Sequence, residues 1–560
     1  MNENTPRQRL LKRKTALWNE RSSWISHYRE ISDYILPRSG RFFEQDRNRG
    51  EKKHNNIYDS TGTRALRVLA AGMMSGMTSP ARPWFRLAIA DSDLMEYDPV
   101  KLWLNENAKI MREIFSRSNT YRALHMIYEE LGAYGTAASF MRPDFNDVLR
   151  HYTMTAGEYA ISSSNRGEVD TIYREVPMTV AQIVQEFGLD KVSKSVKDQY
   201  ERNNLDQWIT VMHAIEPRKD NERDVGKRDA KNMPFKSCYF ELAGNGDEML
   251  SESGFNYFPV LVPRWSVSGG DIYGNSPAME SLGDIRQLQH EQLRKAQGID
   301  FQTKPPLQMP VTMKGSEHDS LPGGIAWYDP SSPSGGVKTQ FEVNLNLQHL
   351  LADIQDVRER INGTFYADLF MMMANDTRSG ITATEVAERH EEKLLMLGPV
   401  LERLHNEMLS PMIENTFQMM VEAGIVPTPP KELQGMDLNI EFVSTLAQAQ
   451  RAIGVGSIDR LLGTVGNMAQ LKPEVLDKLN ADQIVDTYAD MLGVDPNLII
   501  GDENVAIVRQ QRADQQQKAQ AAQEAMAMAD MASKVGNIST AEPNMMTDVM
   551  QNLQGYTGAV

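Results

Sequence analysis

The spacing of hydrophobic residues at the start of the chain is helical and then changes to that of a strand. Apolar residues recur with helical period from Pro6 to Ile35, which predicts a long amphipathic helix. A second helix is predicted from the capping sequence Asp59-Ser60-Thr61 to Met77. A strand is predicted next, from Pro83 to Ile89.

The following region, to about residue 275, contains two more helical patterns and then a series of alternating segments. The helices are predicted at about Val100 to Ser116 and Tyr121 to Gly132. The predicted strands are Ala137 to Arg142, Tyr152 to Ile161, Val169 to Val176, Trp208 to Ile215, Phe235 to Leu242 and Val260 to Trp265. A capping box, Thr179 with Gln182, opens one helix among them that ends at Gly188. The first half of the chain is therefore predicted to be α+β.

The second half begins with two long helices. Ser276-Pro277 supplies a capping serine and a proline at the first helical position, and the helical pattern then runs to about Lys304. The second long helix starts near Asn346, with an apolar face from Leu347 to Leu369. The residues between them carry turn signals and short β segments at Val311 to Lys314, Ile325 to Tyr328 and Val337 to Val343. This pattern predicts a small β-rich element carried on two helices.

A polar loop, Ala374 to Gly380, separates the second long helix from a third. The capping box Thr382 with Glu385 opens this third helix, which continues beyond Met408, and Pro399 is expected to kink or break it. Short helices are predicted from Ala447 to Ile500, with caps at Ser457 and Asn480 and stops at Gly466 and Gly493. A last helix is predicted from Ala506 to Ala532, and the segment past Gly536 is expected to be poorly ordered.

Composition and charge narrow the possible classes. The 59 basic and 75 acidic residues give a net charge of −16, so the surface as a whole repels phosphate. A single cysteine, Cys238, excludes a disulfide framework and any cysteine-based zinc or iron–sulfur site. No apolar stretch reaches the roughly 18 to 20 residues that span a bilayer, and the basic start lacks a secretory signal. These features predict a soluble chain, without membrane insertion, in a reducing cytoplasm.

Motifs for enzyme chemistry are missing from the sequence. The phosphate loop G-x-x-x-x-G-K-[ST] does not occur, and His390-Glu391-Glu392 lacks the second histidine of a zinc helix. Cys238 has only Lys236 as a basic neighbour and is interpreted as a structural thiol on a strand. Gly72 and Gly76 are expected to let a methionine-rich helix pack against a sheet. We therefore predict no catalytic residue, no metal and no cofactor.

The two long amphipathic helices favour an assembly protein over an enzyme. Helices of that length must bury their apolar faces, and neighbouring copies of the chain are the natural source of cover. A head-to-tail contact between identical subunits closes into a ring when the rotation permits. Two alternatives stay open from the residues: a capsid or scaffold structural protein, and, less favoured, a DNA-packaging enzyme, which would require the missing phosphate loop.

Two separated blocks of sequence resemble the portal (head-to-tail connecting) proteins of short-tailed bacteriophages. The first runs from Tyr58-Asp59-Ser60-Thr61 through Ser75-Gly76-Met77 to Trp84-Phe85. The second joins Pro263-Arg264-Trp265 to Tyr273-Gly274-Asn275-Ser276-Pro277. The resemblance covers about residues 5 to 500, and Asn275 departs from it, since a basic residue is common before the Ser-Pro cap.

This resemblance implies an α+β portal-like subunit with an α/β wing, two stem helices that carry a small β-rich clip, a helical crown and a C-terminal helix, assembled as a ring oligomer. The segments implied are 1–275 for the wing, 276–304 for the first stem helix, 305–345 for the clip, 346–373 for the second stem helix, 374–381 for the tunnel loop, 382–430 for a kinked helix of wing and crown, 431–502 for the crown, 503–535 for a C-terminal helix and 536–560 for a flexible tail.

The function implied is that of a dodecameric ring at one capsid vertex, in the virion, assembled in the host cytoplasm. Double-stranded DNA would pass through it in packaging and ejection. The implied partners are the terminase packaging motor and then a tail adaptor at the clip, with capsid and scaffold proteins at the wing. The implied DNA-channel residues are those of the tunnel loop, Asn375, Asp376, Thr377, Arg378 and Ser379, and Lys314 and His318 of the clip are candidates for partner contacts. The acidic net charge then favours a channel wall with only isolated basic rings, Arg378 among them, since few phosphate contacts let DNA slide.

Overall fold

The computed structural model describes residues 5–42, 55–89, 91, 94, 97–224, 226–227, 229–242, 249–304, 307–308, 338–339, 347–375, 397–433, 438–442, 461–469, 472–485 and 502–535. They fall in two compact units, Met1–Ser457 and Ile458–Val560. The first unit mixes helices and antiparallel sheets, which confirms the predicted α+β class.

The N-terminal part of the first unit is mainly helical. It contains α1 (Pro6–Tyr34), α2 (Thr61–Met77), α3 (Asp98–Arg117) and α4 (Thr120–Tyr134), with the short strand β1 (Phe85–Ile89) between α2 and α3. All five elements confirm the predictions to within a few residues. The strand β1 pairs in antiparallel register with β12 (Leu438–Phe442), from Phe85 opposite Phe442 to Ile89 opposite Leu438.

Two antiparallel sheets follow. Their strands are β2 (Ala138–Asp144), β3 (Val148–Met154), β4 (Tyr159–Ser163), β5 (Val169–Thr179), β6 (Trp208–Pro217), β7 (Phe235–Glu241), β8 (Ser251–Phe255) and β9 (Val260–Leu261). One sheet has the order β3-β2-β9 and the other the order β4-β5-β6-β7-β8. The helices α5 (Val180–Phe187) and α6 (Lys194–Glu201) lie between β5 and β6, and α5 carries the predicted capping box, in which both hydrogen bonds are present.

The predicted strand from Tyr152 to Ile161 is wrong, because the chain turns within it and places its two halves in different sheets. Residues 155–158 form the turn, at which Gly157 has φ +96°. A side chain there would meet the carbonyl oxygen of Arg41 at 1.8 Å, so only glycine fits. Cys238, in contrast, lies buried on β7 as predicted, and burial raises the pKa of its thiol to about 12, which makes the thiol a poor nucleophile.

The two predicted long helices form an antiparallel pair. The first comprises a short turn, α7 (Pro277–Glu280), and α8 (Leu282–Thr303), and the second is α9 (Leu347–Thr364). The side chain of Arg360 lies 3.1 Å from Asp284, which brings the start of α8 beside the end of α9. Between them, β10 (Leu307–Gln308) and β11 (Lys338–Thr339) pair with each other, while the predicted strands at 311–314 and 325–328 lie outside the described residues.

The second long helix is not continuous to Leu369 as predicted. It ends at Thr364, and α10 (Ala367–Asn375) begins after a break at Tyr366, which has φ +54°. A bulky residue rarely adopts this left-handed conformation, so the surrounding contacts must impose it. The break lets Phe365, Ala367 and Leu369 all point into the core.

The predicted third helix is irregular at a place that the pattern did not indicate. Residues 397–404 form α11, His405–Leu409 form a π-helical turn, and α12 spans Ser410–Glu422. Pro411 cannot donate to the carbonyl of Glu407 and its ring would clash there, so the widened turn accommodates it. The chain is helical on the C-terminal side of Pro399, but the turn before this proline and the capping box at Thr382 lie outside the described residues, so the kink there stays a prediction.

The main core joins the N-terminal helices to the helices of the second half. Buried side chains from α2, α3, α4, α8, α9, α10 and α12 form one cluster, which includes Leu66, Phe115, Leu131, Ile285, Val357, Phe370 and Met412. Gly72 of α2 lies against Phe370 of α10, and Gly132 of α4 lies against Leu66 and Leu69 of α2. The close approach at Gly72 is therefore between two helices, and the predicted packing against a sheet is wrong.

The second unit is helical where it is described. It contains α13 (461–469), a 3-10 turn (Pro473–Lys478), α14 (481–485) and α15 (Asp502–Val535). The predicted cap at Asn480 is confirmed, since its side chain accepts a hydrogen bond from Gln483 N at 3.3 Å. The predicted stop at Gly466 is wrong, because α13 runs through it, and the long last helix is confirmed with slightly wider bounds.

Candidate functional site at the flanks of the predicted tunnel loop

Arg264 is buried, and its guanidinium binds the π-helical turn that follows the predicted tunnel loop. Its Nη2 and Nε donate to the two carboxylate oxygens of Glu407 at 2.6 and 3.2 Å, and its backbone N–H donates to the same carboxylate at 2.9 Å. Nη2 also donates to the carbonyl of Gly167 at 2.8 Å. Arg403 adds a second cation, 3.1 Å from Glu407. The bidentate geometry fixes this turn against the sheet region.

The neighbouring residue, Trp265, contacts the chain before the predicted tunnel loop. Its ring packs against Tyr366, the residue at the break before α10, with 6.2 Å between ring centroids. The backbone N–H of Trp265 donates to the carbonyl of Gly135 at 2.8 Å, so the backbone of the tryptophan is anchored to the end of α4. Two consecutive residues therefore contact both the helix that enters the predicted tunnel loop and the helix that leaves it.

Asp59 connects the start of α2 to both stem helices, as we call α8 and α9. One carboxylate oxygen accepts from the N–H and the hydroxyl of Thr61, at 2.9 and 2.6 Å, and so caps α2. The other accepts from Arg358 of α9 at 2.7 Å and from Gln292 of α8 at 3.0 Å. Burial opposes the ionised form, but the hydrogen bonds from Thr61 and Arg358 outweigh it, so the pKa of Asp59 lies below its ordinary value.

Gln289 of α8 binds the backbone of the same block. Its side-chain oxygen accepts from the N–H groups of Tyr58 and Asp59 at 2.6 and 2.8 Å, and its side-chain nitrogen donates to the carbonyl of Asp59 at 2.9 Å. Gln289 is buried, so these bonds are sheltered from water. Since Gln289 bonds to both the N–H and the carbonyl of Asp59, it sets the position of the Asp59 carboxylate relative to α8.

A polar cleft of about 470 Å³ opens beside this network. Its walls come from the start of α2, from α9 and from α10, and its lining residues include Thr61, Arg64, Gln355, Arg358, Asn362 and Met371. Arg358 is the cation paired with Asp59, and Met371 lies four residues before the end of α10. The cleft is therefore placed next to the helix that leads into the predicted tunnel loop.

Comparison with known proteins agrees with the resemblance carried by the two sequence blocks, which also make these contacts. The family model described as "Bacteriophage head to tail connecting protein" matches residues 7–500. The "Probable portal protein" of Bordetella phage BPP-1 is 61% identical over 557 residues, which cover 100% of both chains.

The chain belongs to this head-to-tail connecting, or portal, family. The "Portal protein" of Salmonella phage epsilon15 is 46% identical over 97% of this chain and 98% of that one. The "Portal protein" of Escherichia phage T7 is 21% identical over 86% of each chain. The resemblance to portal proteins is thus confirmed, and the function is that of a portal, a structural connector of the phage particle at the junction of head and tail.

Most of the predicted site residues of this portal chain fall outside the part that the structure describes. Asp376, Thr377, Arg378 and Ser379 do so, and so do Lys314 and His318. Asn375 is the last residue of α10. The assignments to tunnel loop and clip therefore stay predictions, as do the wing, stem and crown boundaries.

The structure also shows positioning residues that the sequence patterns did not single out. Glu407, Gln289 and Arg358 lie on helices where their spacing resembles that of any solvated helix face. Arg264 and Asp59 were within the blocks that resemble the family, but only the cap role of the Asp59 block was predicted. The one local signal was Pro411, which requires a widened turn just where Glu407 bonds to Arg264.

Within the ranges that the structure describes, no group of three or more histidine, cysteine or acidic side chains could hold a metal ion. Among the helices described, none is both long and apolar enough to cross a membrane.

Proposed function

We propose that this chain joins head to tail with copies of itself in a ring, dodecameric as the resemblance implies, at one vertex of the capsid. Double-stranded DNA passes through the ring during packaging and again during ejection. The residues 374–381 narrow the passage, with Arg378 facing the DNA. The ring assembles in the host cytoplasm and acts as a conduit without catalysing a reaction.

The observation that carries this proposal is the exposure of the C-terminal half of α8 and of the start of α9. In α8 the buried residues are Leu282, Ile285, Leu288 and Gln289, all in its first half, and no residue from 290 to 304 is buried. Ile299 and Phe301 are 37% and 47% exposed, and Leu351 of α9 is 47% exposed. Apolar side chains on helices of this length favour cover by another chain.

The segment between the two stem helices is also proposed to dock other proteins of the phage. The residues 305–345, between the two stem helices, are proposed to bind the terminase motor first and the tail adaptor afterwards, with Lys314 and His318 as contacts. The sheets of residues 1–275 are proposed to face capsid and scaffold proteins. The anchor at Asp59 supports this division, because its carboxylate ties both stem helices to residues 1–275 through partly buried hydrogen bonds. Arg264 ties the same part of the chain to the turn before α12.

Substitution on α8 tests the assembly step. A double variant, Ile299→Gln with Phe301→Gln, is expected to remain folded, since both side chains are exposed, and to lose most of its rings in electron micrographs and native mass spectra. The matched control is Leu189→Gln, which changes a side chain of similar exposure, 38%, away from the stem helices. Rings in normal yield from the double variant would contradict a ring built through the stem helices.

A further inference from the structure

The loop between β2 and β3 presents an aromatic side chain entirely to solvent. Phe145 is 104% exposed, the largest value among the exposed hydrophobic residues of the described chain. It lies in the sequence Asp144-Phe145-Asn146-Asp147, which we call the tip. A single exposed apolar residue is common on protein surfaces, so the conformation and charge of the tip must decide whether it has a role.

The tip is a fixed turn. One carboxylate oxygen of Asp144 accepts from the backbone N–H groups of Asn146 and Asp147, at 2.8 and 3.0 Å. These two bonds hold the pKa of Asp144 below its ordinary value, so the carboxylate stays charged. The turn closes a hairpin of seven residue pairs, from Asp144 opposite Val148 to Ala138 opposite Met154. Phe145 is therefore held out on a preorganised support with two negative charges beside it.

At the other end of the same hairpin lies an open cleft of about 520 Å³. Helix α1, residues 41 and 42, the turn after β3 and the paired strands β5 and β6 form its walls. Its half-exposed apolar lining is Trp18, Ile25, Phe42 and Pro177. Since a cavity of about 150 Å³ is enough for a benzene ring, the cleft has room for an aromatic side chain.

The cleft is also preformed and carries an excess of positive charge. Arg21 is buried and donates to the carbonyls of Gly157 and Tyr159, which fixes α1 to the turn. The lining contains three arginines, Arg21, Arg29 and Arg41, against two glutamates, Glu158 and Glu175. Glu158 forms an ion pair with Arg41 at 2.5 Å, and Glu175 forms one with Lys14 at 3.7 Å. The two carboxylates of the tip, which lie beyond Arg142 and Arg150 on the hairpin, are therefore opposite in charge to the cleft, whose lining has one more cation than anion.

The two features cannot meet within one chain. Six residue steps of a β-strand separate them, which is about 20 Å along the hairpin. Surfaces that complement each other at opposite ends of a rigid element form a heterologous contact, the kind that generates a ring when the rotation closes.

We propose that Phe145 of each subunit inserts into the cleft between α1 and the β3–β4 turn of the next copy of this chain. The tip aspartates lie against Arg29 and Arg41 of that copy, and the phenyl ring lies among Trp18, Ile25 and Phe42. This contact rests on the proposed ring and adds a second link between subunits, on the sheet-bearing part of the chain, to that of the stem helices.

Cysteine pairs test the contact directly. Phe145→Cys is combined with Ser26→Cys, which places a thiol in the cleft, and assembled rings are oxidised with copper phenanthroline. The native Cys238 is buried and does not compete. A ladder of covalent multimers is expected only when both cysteines are present. Neither single variant forms it, and neither does Phe145→Cys combined with Ser268→Cys, which lies on an exposed loop outside the cleft.

A second measurement uses the ring itself. Phe145→Ala is expected to raise the protein concentration at half-assembly by about tenfold, and Phe145→Tyr to change it by less than about threefold, since an aromatic anchor is retained. Rings that form normally in Phe145→Ala and give no ladder overturn the contact and leave the proposed ring intact. If Phe145→Ala forms normal rings that fail to enter capsids, the tip binds the capsid shell, and the proposed contact between subunits is overturned as well. If the unmodified chain forms no ring, the proposed function fails as well.

Discussion

Arg264 and Glu407 lie 143 residues apart in the chain and form a bidentate ion pair, in which the arginine side chain is 4% exposed and the glutamate 18%. The arginine follows the last strand of the sheets, and the glutamate lies in the π-helical turn before α12. The pair therefore joins the strand-rich part of the chain to the helix that follows the predicted tunnel loop. Its loss should release that helix.

Removing the acid from this pair tests how much it stabilises the fold. Glu407→Ala leaves the buried guanidinium of Arg264 without its carboxylate, and we expect a loss of about 3–5 kcal/mol in the free energy of unfolding. The control is Glu186→Ala, which breaks the exposed pair of Glu186 with Arg142 and should cost below about 1 kcal/mol. Urea unfolding of the unassembled chains gives both values, and equal losses would show that the buried pair has no special role.

The close approach of α2 and α10 predicts a strong effect of a single methyl group. In Gly72→Ala the new Cβ would lie 2.1–2.7 Å from Phe370, so α10 must shift, and we expect a loss of about 1–3 kcal/mol in stability. Gly283→Ala on α8 is the control, because no atom beyond its chain neighbours and its own helix backbone lies within 4 Å of the Cβ position, and alanine favours a helix. Thermal unfolding compares the two, and a Gly72→Ala variant as stable as Gly283→Ala would contradict the observed packing.

Glu130 predicts a pH dependence of stability. It is buried and accepts hydrogen bonds from Ser39, Thr155 and the backbone of Ala156, but burial dominates and raises its pKa to about 7. A folded-state pKa above the unfolded value means that the folded chain retains a proton that the unfolded chain releases. The stabilisation is therefore present in acid and is lost as the pH rises from about 4.5 to about 7.

The variant Glu130→Gln should remove most of this slope, because glutamine does not titrate. Burial also raises the pKa of Glu158, which pairs with Arg41, and this adds a slope of the same sign. Burial lowers the pKa values of His151 and His213, which adds a slope of the opposite sign below about pH 6.5. The difference between the variant and the unmodified chain therefore isolates the contribution of Glu130. Urea midpoints between pH 5 and 8 measure the effect. A slope that is unchanged in the variant would assign the pH dependence to other groups.

Arg378 is predicted to be an isolated basic residue on the DNA path. Arg378→Ala should lower DNA retention in filled heads and slow packaging, whereas Lys191→Ala, an exposed cation outside the predicted tunnel loop, should change neither. Packaging efficiency and retained genome length in phage that carry each variant are the measurements. Normal values for both in Arg378→Ala would remove this residue from the channel.

The sequence predicted the elements that depend on local signals. The capping box at Thr179, the serine cap and proline at Ser276-Pro277 and the helical period of α1 all act within a few residues, and all appear in the structure. The errors arose where distant contacts decide the backbone. The turn at Gly157 depends on the carbonyl of Arg41, and the break at Tyr366 lies against Trp265, 101 residues earlier in the chain.

The anchors of the candidate site were hidden for the same reason. Arg358 and Gln289 become recognisable only when the antiparallel stem helices bring them to Asp59, since helical periodicity gives each of them merely a position on a helix. The resemblance supplied what periodicity could not, because its two blocks contain the residues that make these contacts. Asp59 contacts both stem helices, and Gly72, Arg264 and Trp265 contact the segments before and after the predicted tunnel loop.

Electron microscopy of the purified chain tests the proposed ring. We expect ring-shaped particles with a central hole, whose native mass is twelve times that of the 63.2 kDa subunit. A chain that stays monomeric at assembly concentrations, or that forms closed shells or open filaments instead of rings, would contradict the proposed ring.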